Sequence, residues 1–324
     1  MRPPGLQSDA ELNMKSPAAF FRSHFGSAPV VALAMFCSAA VLRASDDVPN
    51  IPVWPALAPG EKTSAPGETL PFRKGEDPPV TRVVKIRRPS IDVFAPKENR
   101  TGAAVLILPG GGFGKVVTDK EGSEAAVWLN KFGIAAFVLR YRTNEETPKD
   151  EPAWRRPLQD AQRGLRLIRR KAPAMGLDVD RIGVLGFSAG GQVAAILHTR
   201  EGKADYPALD AIDEFSCRPD FSLLVYPWNV LDASTGGLLS DIRPAATSPS
   251  AFIVHTHDDR SSSLGSVLIY SGLKKHKVNA ELHIYENGGH GYGMREVKGS
   301  NIGSWPDRAR DWLARGGFAK RASR

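Results

Sequence analysis

The run Arg181-Ile182-Gly183-Val184-Leu185-Gly186-Phe187-Ser188-Ala189-Gly190 decides how the rest of the chain reads. Its first half is a short apolar stretch of strand character, and its second half is a G-x-S-x-G run. A helical pattern rich in small residues follows from Ala189 to His198. A serine set between glycines at the junction of strand and helix fits a tight, strained turn that lifts the hydroxyl above a sheet. Side chains at the glycine positions would clash there. A serine that opens a helix also has backbone N–H groups and the positive end of the helix dipole beside it, ready for a developing anion.

Working outward, short β-rich runs alternate with helical patterns. Val80 to Ile86 and Ser90 to Phe94 read as strands at one edge, and Ala103 to Leu108 as a strand buried on both faces. Helices are expected over Glu121–Phe132, Leu158–Lys171 and Ser262–Lys275, with strands at Ala135–Leu139, Ile182–Leu185, Phe221–Val225, Ala251–His255 and Ala280–Tyr285. A last helix begins near Ser304-Trp305-Pro306-Asp307, a capping-box-like start. This alternation predicts the α/β class: one mostly parallel central sheet with helices on both faces, no internal repeat and no second globular domain. Residues 45–79, with Pro49, Pro52, Pro55, Pro59 and Pro66, read as an extended arm over the surface. In the helix from Leu158, the stripe Leu158, Ala161, Leu165 and Ile168 faces inward, and Arg163, Arg166, Arg169 and Arg170 are expected on a solvated outer face.

A serine hydroxyl needs a base held against it. In this strand–helix arrangement the order is serine, then acid, then histidine. His290, in Gly288-Gly289-His290-Gly291 after the last strand, is the candidate base; His198, His276 and His283 sit less well. Asp258 and Asp259 follow the strand Ala251–His255, and either can supply the acid. The loop Pro109-Gly110-Gly111-Gly112-Phe113-Gly114, directly after a buried strand, offers unobstructed amides for an oxyanion. It lacks the G-K-[ST] and G-x-G-x-x-G patterns of phosphate-cradling loops. His255-Thr256-His257 lacks the ligand spacing of a metal site, so no metal is expected.

The 324 residues carry a formal charge of +8 and two cysteines, with 42% hydrophobic and 24% charged residues. No apolar run is long enough for a polytopic membrane protein. The positive charge comes with no nucleic-acid motif, which argues against a nucleic-acid partner. Arg22 and His24 precede the apolar stretch Ala28–Leu42, and Ser45-Asp46-Asp47 follows it, so residues 1–44 read as an export signal, with Met14 an alternative start. Its removal takes away Arg2, Lys15, Arg22 and Arg43 against Asp9 and Glu11, lowering the charge from +8 to +6, and removes Cys37, leaving Cys217 alone. A secreted or periplasmic location follows. Contact with a membrane is expected only if that segment stays uncleaved as an anchor.

Taken together, the PGGGFG loop, PLQDAQRGLRLIRR, RIGVLGFSAGG, HTHDDR and ELHIYENGGHGYG resemble bacterial secreted α/β-hydrolases of the acetylxylan-esterase and feruloyl-esterase-like group, over most of residues 50–315. The resemblance implies an α/β-hydrolase fold, Ser188 as nucleophile, His290 as base and Asp258 as its orienting acid. It also assigns the oxyanion donors to Gly111, Gly112 and Ala189, and it needs no cofactor. The roughly two dozen residues between the strands ending near Val225 and starting at Ala251 are too few for a large cap, so little or no cap is expected. The chain departs from hormone-sensitive-lipase-like relatives at Pro109, where they carry histidine, and at Ser261-Ser262-Ser263, where many place Val-Pro. The expected substrate is a small or polysaccharide ester with a short acyl group, met by Phe113, Trp228 and Tyr292. The competing readings are a prolyl-oligopeptidase-like peptidase, which normally carries a large N-terminal domain, and an idle carbohydrate-binding scaffold.

Overall fold

Five consecutive apolar residues with no polar alternation can be satisfied only in a strand covered on both sides. Such runs form the middle of the sheet. The structure, a computed structural model, describes residues 48–98 and 100–320, so the expected export signal at 1–44 lies outside the described residues. In chain order the elements are β1 (Asn50–Pro52), β2 (Glu68–Thr69), β3 (Arg82–Val84), β4 (Ser90–Phe94), β5 (Ala104–Leu108), β6 (Val116–Val117), α1 (Glu124–Asn130) and β7 (Ala135–Arg140). They continue with α2 (Arg155–Lys171), β8 (Ile182–Phe187), α3 (Ser188–Thr199), β9 (Phe221–Val225), β10 (Ser250–Thr256), α4 (Leu264–Lys275), β11 (Ala280–Tyr285) and α5 (Trp305–Arg315).

The main sheet has eight strands in the order β1-β4-β7-β5-β8-β9-β10-β11. From β7 to β11 all neighbours are parallel, while β4 and β1 add antiparallel pairs at one edge. Side chains of β5 alternate between two apolar layers. Ala104, Leu106 and Leu108 belong to the layer that holds α2, α3 and α4, whereas Val105 and Ile107 belong to the layer that holds α1 and α5. This is the expected α/β layout. Between β9 and β10, residues 226–249 hold only an isolated bridge, Leu231 with Leu238, and no helix that could close over the sheet.

Three expectations change. The Val80–Ile86 run does not join the main sheet; β3 pairs with β2 and β6 in a separate three-stranded sheet. Lys85, at a left-handed φ of 54°, turns the chain between β3 and β4. The arm is part of the fold rather than a strap over it. Its β1 forms the sheet edge, Val53 and Trp54 are buried, and Trp54 Nε1 donates to Asp160 Oδ1 at 2.8 Å. Finally, a 3₁₀ turn at Asn301–Ser304 precedes α5, and the Ser304 hydroxyl donates to the Asn301 carbonyl instead of capping the helix.

The arginines of α2 are the largest correction. Arg163, Arg166 and Arg169 are buried, and only Arg170 faces outward. Arg163 pairs with Asp210 at 2.6 Å and Asp213 at 2.8 Å, Arg166 with Asp213 at 2.8 Å, and Arg169 with Asp220 at 3.2 Å. The residues between α3 and β9 fold back over this face of α2 and bring their carboxylates with them. A guanidinium buried without such partners would be prohibitively unfavourable.

Burial opposes ionisation of Asp213. The Leu209 amide, the Tyr206 hydroxyl and the Arg163 and Arg166 guanidinium groups outweigh it and bring the carboxyl down to about 2. An aspartate in the unfolded chain titrates near about 3.9, so this site stabilises the fold fully above that pH and loses the contribution as pH falls toward the folded value. The melting temperature is therefore expected to hold from about pH 7 to about pH 5 and to fall below about pH 4. Asp213→Ala should cost about 3 kcal/mol at neutral pH and flatten part of that acid decline, measured by thermal melts across the pH series.

Candidate active site

Ser188 is the first residue of α3, at φ 53°, a left-handed conformation that a serine holds only when its surroundings impose it. The imposition comes from close packing. A side chain at Gly190 would run into the carbonyl oxygens of Leu108 and Pro109, so α3 and the end of β5 can approach this closely only through glycine. The turn therefore sits where the resemblance places it, with the Ser188 side chain on top of the sheet.

His290 reaches Ser188 across the carboxyl ends of the strands. Its Nε2 is 2.7 Å from Ser188 Oγ, and its Nδ1 is 2.6 Å from Asp259 Oδ2. Asp259 thus replaces Asp258 as the acid beside the histidine. Asp258 is exposed, and its two oxygens accept the amides of Gly289 at 2.9 Å and Gly288 at 3.2 Å. It anchors the loop that carries His290. Successive residues in the turn after β10 point in different directions, and only Asp259 points inward.

Asp259 is fully buried as a side chain and has two further neighbours of consequence. Its Oδ2 lies 3.1 Å from His255 Nε2, and its Oδ1 accepts the Ser261 amide at 2.8 Å. His255 Nδ1 in turn meets Ser266 Oγ at 2.9 Å. Burial disfavours the charged carboxyl, but hydrogen bonds from His255, His290 and Ser261 prevail and lower it to about 2. It is therefore an anion at neutral pH. At Ser261, the first residue of the Ser261-Ser262-Ser263 departure, the side chain has a partner of its own: its hydroxyl accepts the Asn229 amide at 2.9 Å.

Gly111 and Gly112 line the cleft beside Ser188, and both have positive φ. A Cβ on Gly111 would collide with the Lys115 carbonyl. Among the described residues neither amide makes a hydrogen bond, and the Ala189 amide lies in the first turn of α3, where no intrahelical acceptor exists. Two of the three aromatic residues expected at the substrate are misplaced. Phe113 turns into the core with 6% of its surface exposed, and Tyr292 packs edge-on against Tyr226 at 4.3 Å, 4% exposed. Trp228 alone lines the cleft, its ring 5.0 Å from that of His290.

The loops share a support that sequence reading passed over. Glu121, buried just before α1, accepts the Gly110 amide at 2.8 Å and the Tyr226 hydroxyl at 2.7 Å. The Tyr226 oxygen accepts the Gly293 amide at 2.9 Å. One carboxyl therefore ties the glycine loop to the histidine loop. The cleft has a volume of about 480 Å³ and is lined by Ser188, His290, Trp228 and several cationic side chains. A larger groove of about 750 Å³ lies along the outer edge of β11 and contains none of the Ser188, His290 or Asp259 side chains.

The parallel sheet and the Ser-His-Asp constellation define the class, an α/β hydrolase. A family model described as BD-FAE matches residues 91–218. The chain is 30% identical to the acetyl ester-xyloside bifunctional hydrolase from Caldicellulosiruptor lactoaceticus, covering 85% of this chain and 100% of that one with a TM-score of 0.65. It is 29% identical to an acetylxylan esterase from Xylanibacter ruminicola over 61% of this chain and 42% of that protein. A thermophilic esterase from Thermogutta terrifontis shares the fold at 18% identity and a TM-score of 0.61, covering 80% of this chain and 95% of that one. The chain belongs to the acetylxylan-esterase-like α/β hydrolases, and it spans less than half the length of the curated relatives it matches.

The geometry separates the two aspartates experimentally. Labelling of Ser188 by a fluorophosphonate probe is expected to slow by about 10³-fold or more in Asp259→Asn, because the histidine loses its orienting acid. Asp258→Asn should slow it by no more than about tenfold, through loosening of the histidine loop. Equal effects in the two variants would contradict the placement.

Proposed function

We propose that the protein is a serine carboxylester hydrolase that removes short acyl groups, acetyl above all, from carbohydrate such as xylan. The observation that carries this reading is the continuous Ser188–His290–Asp259 chain, with contacts of 2.7 and 2.6 Å, beside the unengaged amides of Gly111 and Gly112.

In the proposed reaction His290 Nε2 takes the proton of Ser188 Oγ as the oxygen attacks the ester carbonyl. The carbonyl oxygen becomes an anion stabilised by the amides of Gly111, Gly112 and Ala189. Asp259, bonded to Nδ1, fixes the tautomer that leaves Nε2 free to accept, and stabilises the imidazolium that forms. The imidazolium then protonates the leaving alcohol. A water activated by the same nitrogen releases the acid from Ser188.

A short acyl group is favoured by the burial of Phe113 and Tyr292, which withdraws both rings from the cleft. A polymeric alcohol is favoured by the absence of a lid helix between β9 and β10. The relatives point the same way, since their names refer to acetyl esters and xylan. Export to the periplasm or beyond belongs to this reading and rests on the signal-like residues 1–44 alone.

Hydrolysis of para-nitrophenyl esters tests it. Acetyl should exceed octanoyl by at least about tenfold in kcat/KM, and acetylated xylan should release acetate. Ser188→Ala should lower kcat by about 10³-fold or more. A preference for octanoyl, or full activity in Ser188→Ala, would overturn the proposal.

A further inference from the structure

The walls of the cleft are far more basic than an acetyl ester requires. Arg73, Arg82, Lys115, Lys120 and Arg260 line it, against the single carboxyl of Glu121, whose two oxygens are already taken by the Gly110 amide and the Tyr226 hydroxyl. Arg82 is engaged by Glu76. Asp119, nearby, spends its oxygens on the amides of Thr81 and Lys120. Among the described residues Arg73, Lys115, Lys120 and Arg260 form no ion pair.

These cations come from separate parts of the chain: Arg73 from the arm, Lys115 and Lys120 from the segment after the glycine loop, and Arg260 from the turn that holds Asp259. Arg260 lies over the Trp228 ring at 5.0 Å, and that ring borders His290, so a guanidinium stands one aromatic ring away from the reacting atoms. Lys115 feels the crowding. Burial, and then Arg73, Arg82 and Arg260, push its ammonium below the usual lysine range, with Glu121 only partly opposing them. Like charges gathered in a cleft repel one another unless an anion enters, and their field draws anions in.

We propose that the cleft takes an acylated sugar bearing an anionic group, a carboxylate or a sulfate ester, close to the acyl group, with Arg73, Lys115 and Arg260 receiving the anion. The inference rests on the esterase reading and refines its substrate. An acetyl group carries no charge, so the anion belongs to the alcohol portion, the part of the substrate that extends along the cleft walls. A uronic acid branch or a sulfated sugar meets that description, and both offer the oxygens that guanidinium groups bind in pairs.

Calorimetric binding to the full-length Ser188→Ala protein tests this without turnover. The ligands are an acetylated xylo-oligosaccharide carrying a glucuronate branch, the same compound with its carboxyl reduced to the alcohol, and a sulfated acetylated oligosaccharide. The glucuronate or the sulfate form should bind about tenfold more tightly than the reduced form at low salt, and the difference should shrink in about 0.5 M NaCl. Adding Arg73→Gln and Arg260→Gln should remove it. Should that variant fail to fold, the reduced-ligand and salt comparisons still decide. Whichever charged ligand binds more tightly identifies the anion, and equal binding of all three overturns the proposal. Hydrolysis of para-nitrophenyl acetate by the unmodified protein is read separately; its absence would strike the esterase reading and leave the charge preference standing on its own result.

Discussion

The structure depends on one close approach, that of the backbone at Gly190 to the carbonyl oxygens of Leu108 and Pro109. It lets α3 begin against the end of β5, and Ser188 opens that helix at φ 53°. Such a conformation costs about 1–3 kcal/mol and survives only because the neighbouring strands are buried on both faces and cannot yield. The same contact brings the glycine loop against the serine. Gly110 itself has no room for a side chain, since a Cβ would stand 2.7 Å from that of Ser188 and 2.6 Å from Glu121 Oε2. The Ser188 turn and the glycine loop are thus two sides of one packing problem.

From that point the sheet supplies the rest of the site. Parallel strands end on the same side, so the loops after β5, β8, β10 and β11 converge without long connections. The histidine comes from the loop after β11 and the acid from the turn after β10, neighbouring strands of the sheet. The acid is shared. His255, on β10 itself, and His290 both address Asp259 Oδ2, so the carboxylate is held from the strand side as well as from the loop side.

Much of this was legible in the sequence because it follows from local rules. Continuous apolar runs gave the central strands, and the glycines around Ser188 and His290 marked the turns. What could not be read was direction and distant partnership. Asp258 and Asp259 are adjacent carboxylates in one turn, and which of them faces inward depends on the path of a few residues whose pattern carries no period. Arg163, Arg166 and Arg169 lie off the apolar stripe of α2 and so looked solvated, yet Asp210, Asp213 and Asp220 cover them from 47 to 51 residues further along the chain. Only tertiary structure reveals such pairing. The alternation of residues likewise could not tell that Phe113 and Tyr292 turn inward while Trp228 stays at the cleft.

Glu121 carries a consequence that goes beyond holding a loop. Its two oxygens join the glycine loop, by way of Gly110, to the histidine loop, by way of Tyr226 and Gly293. The halves of the catalytic apparatus are therefore not independently adjustable. A displacement that widened the oxyanion loop for a bulkier acyl group would pull on the same carboxyl that steadies the approach to His290. On the proposed reading, the choice of acyl group and the precision of proton transfer would be mechanically a single variable, joined through the one Glu121 carboxyl.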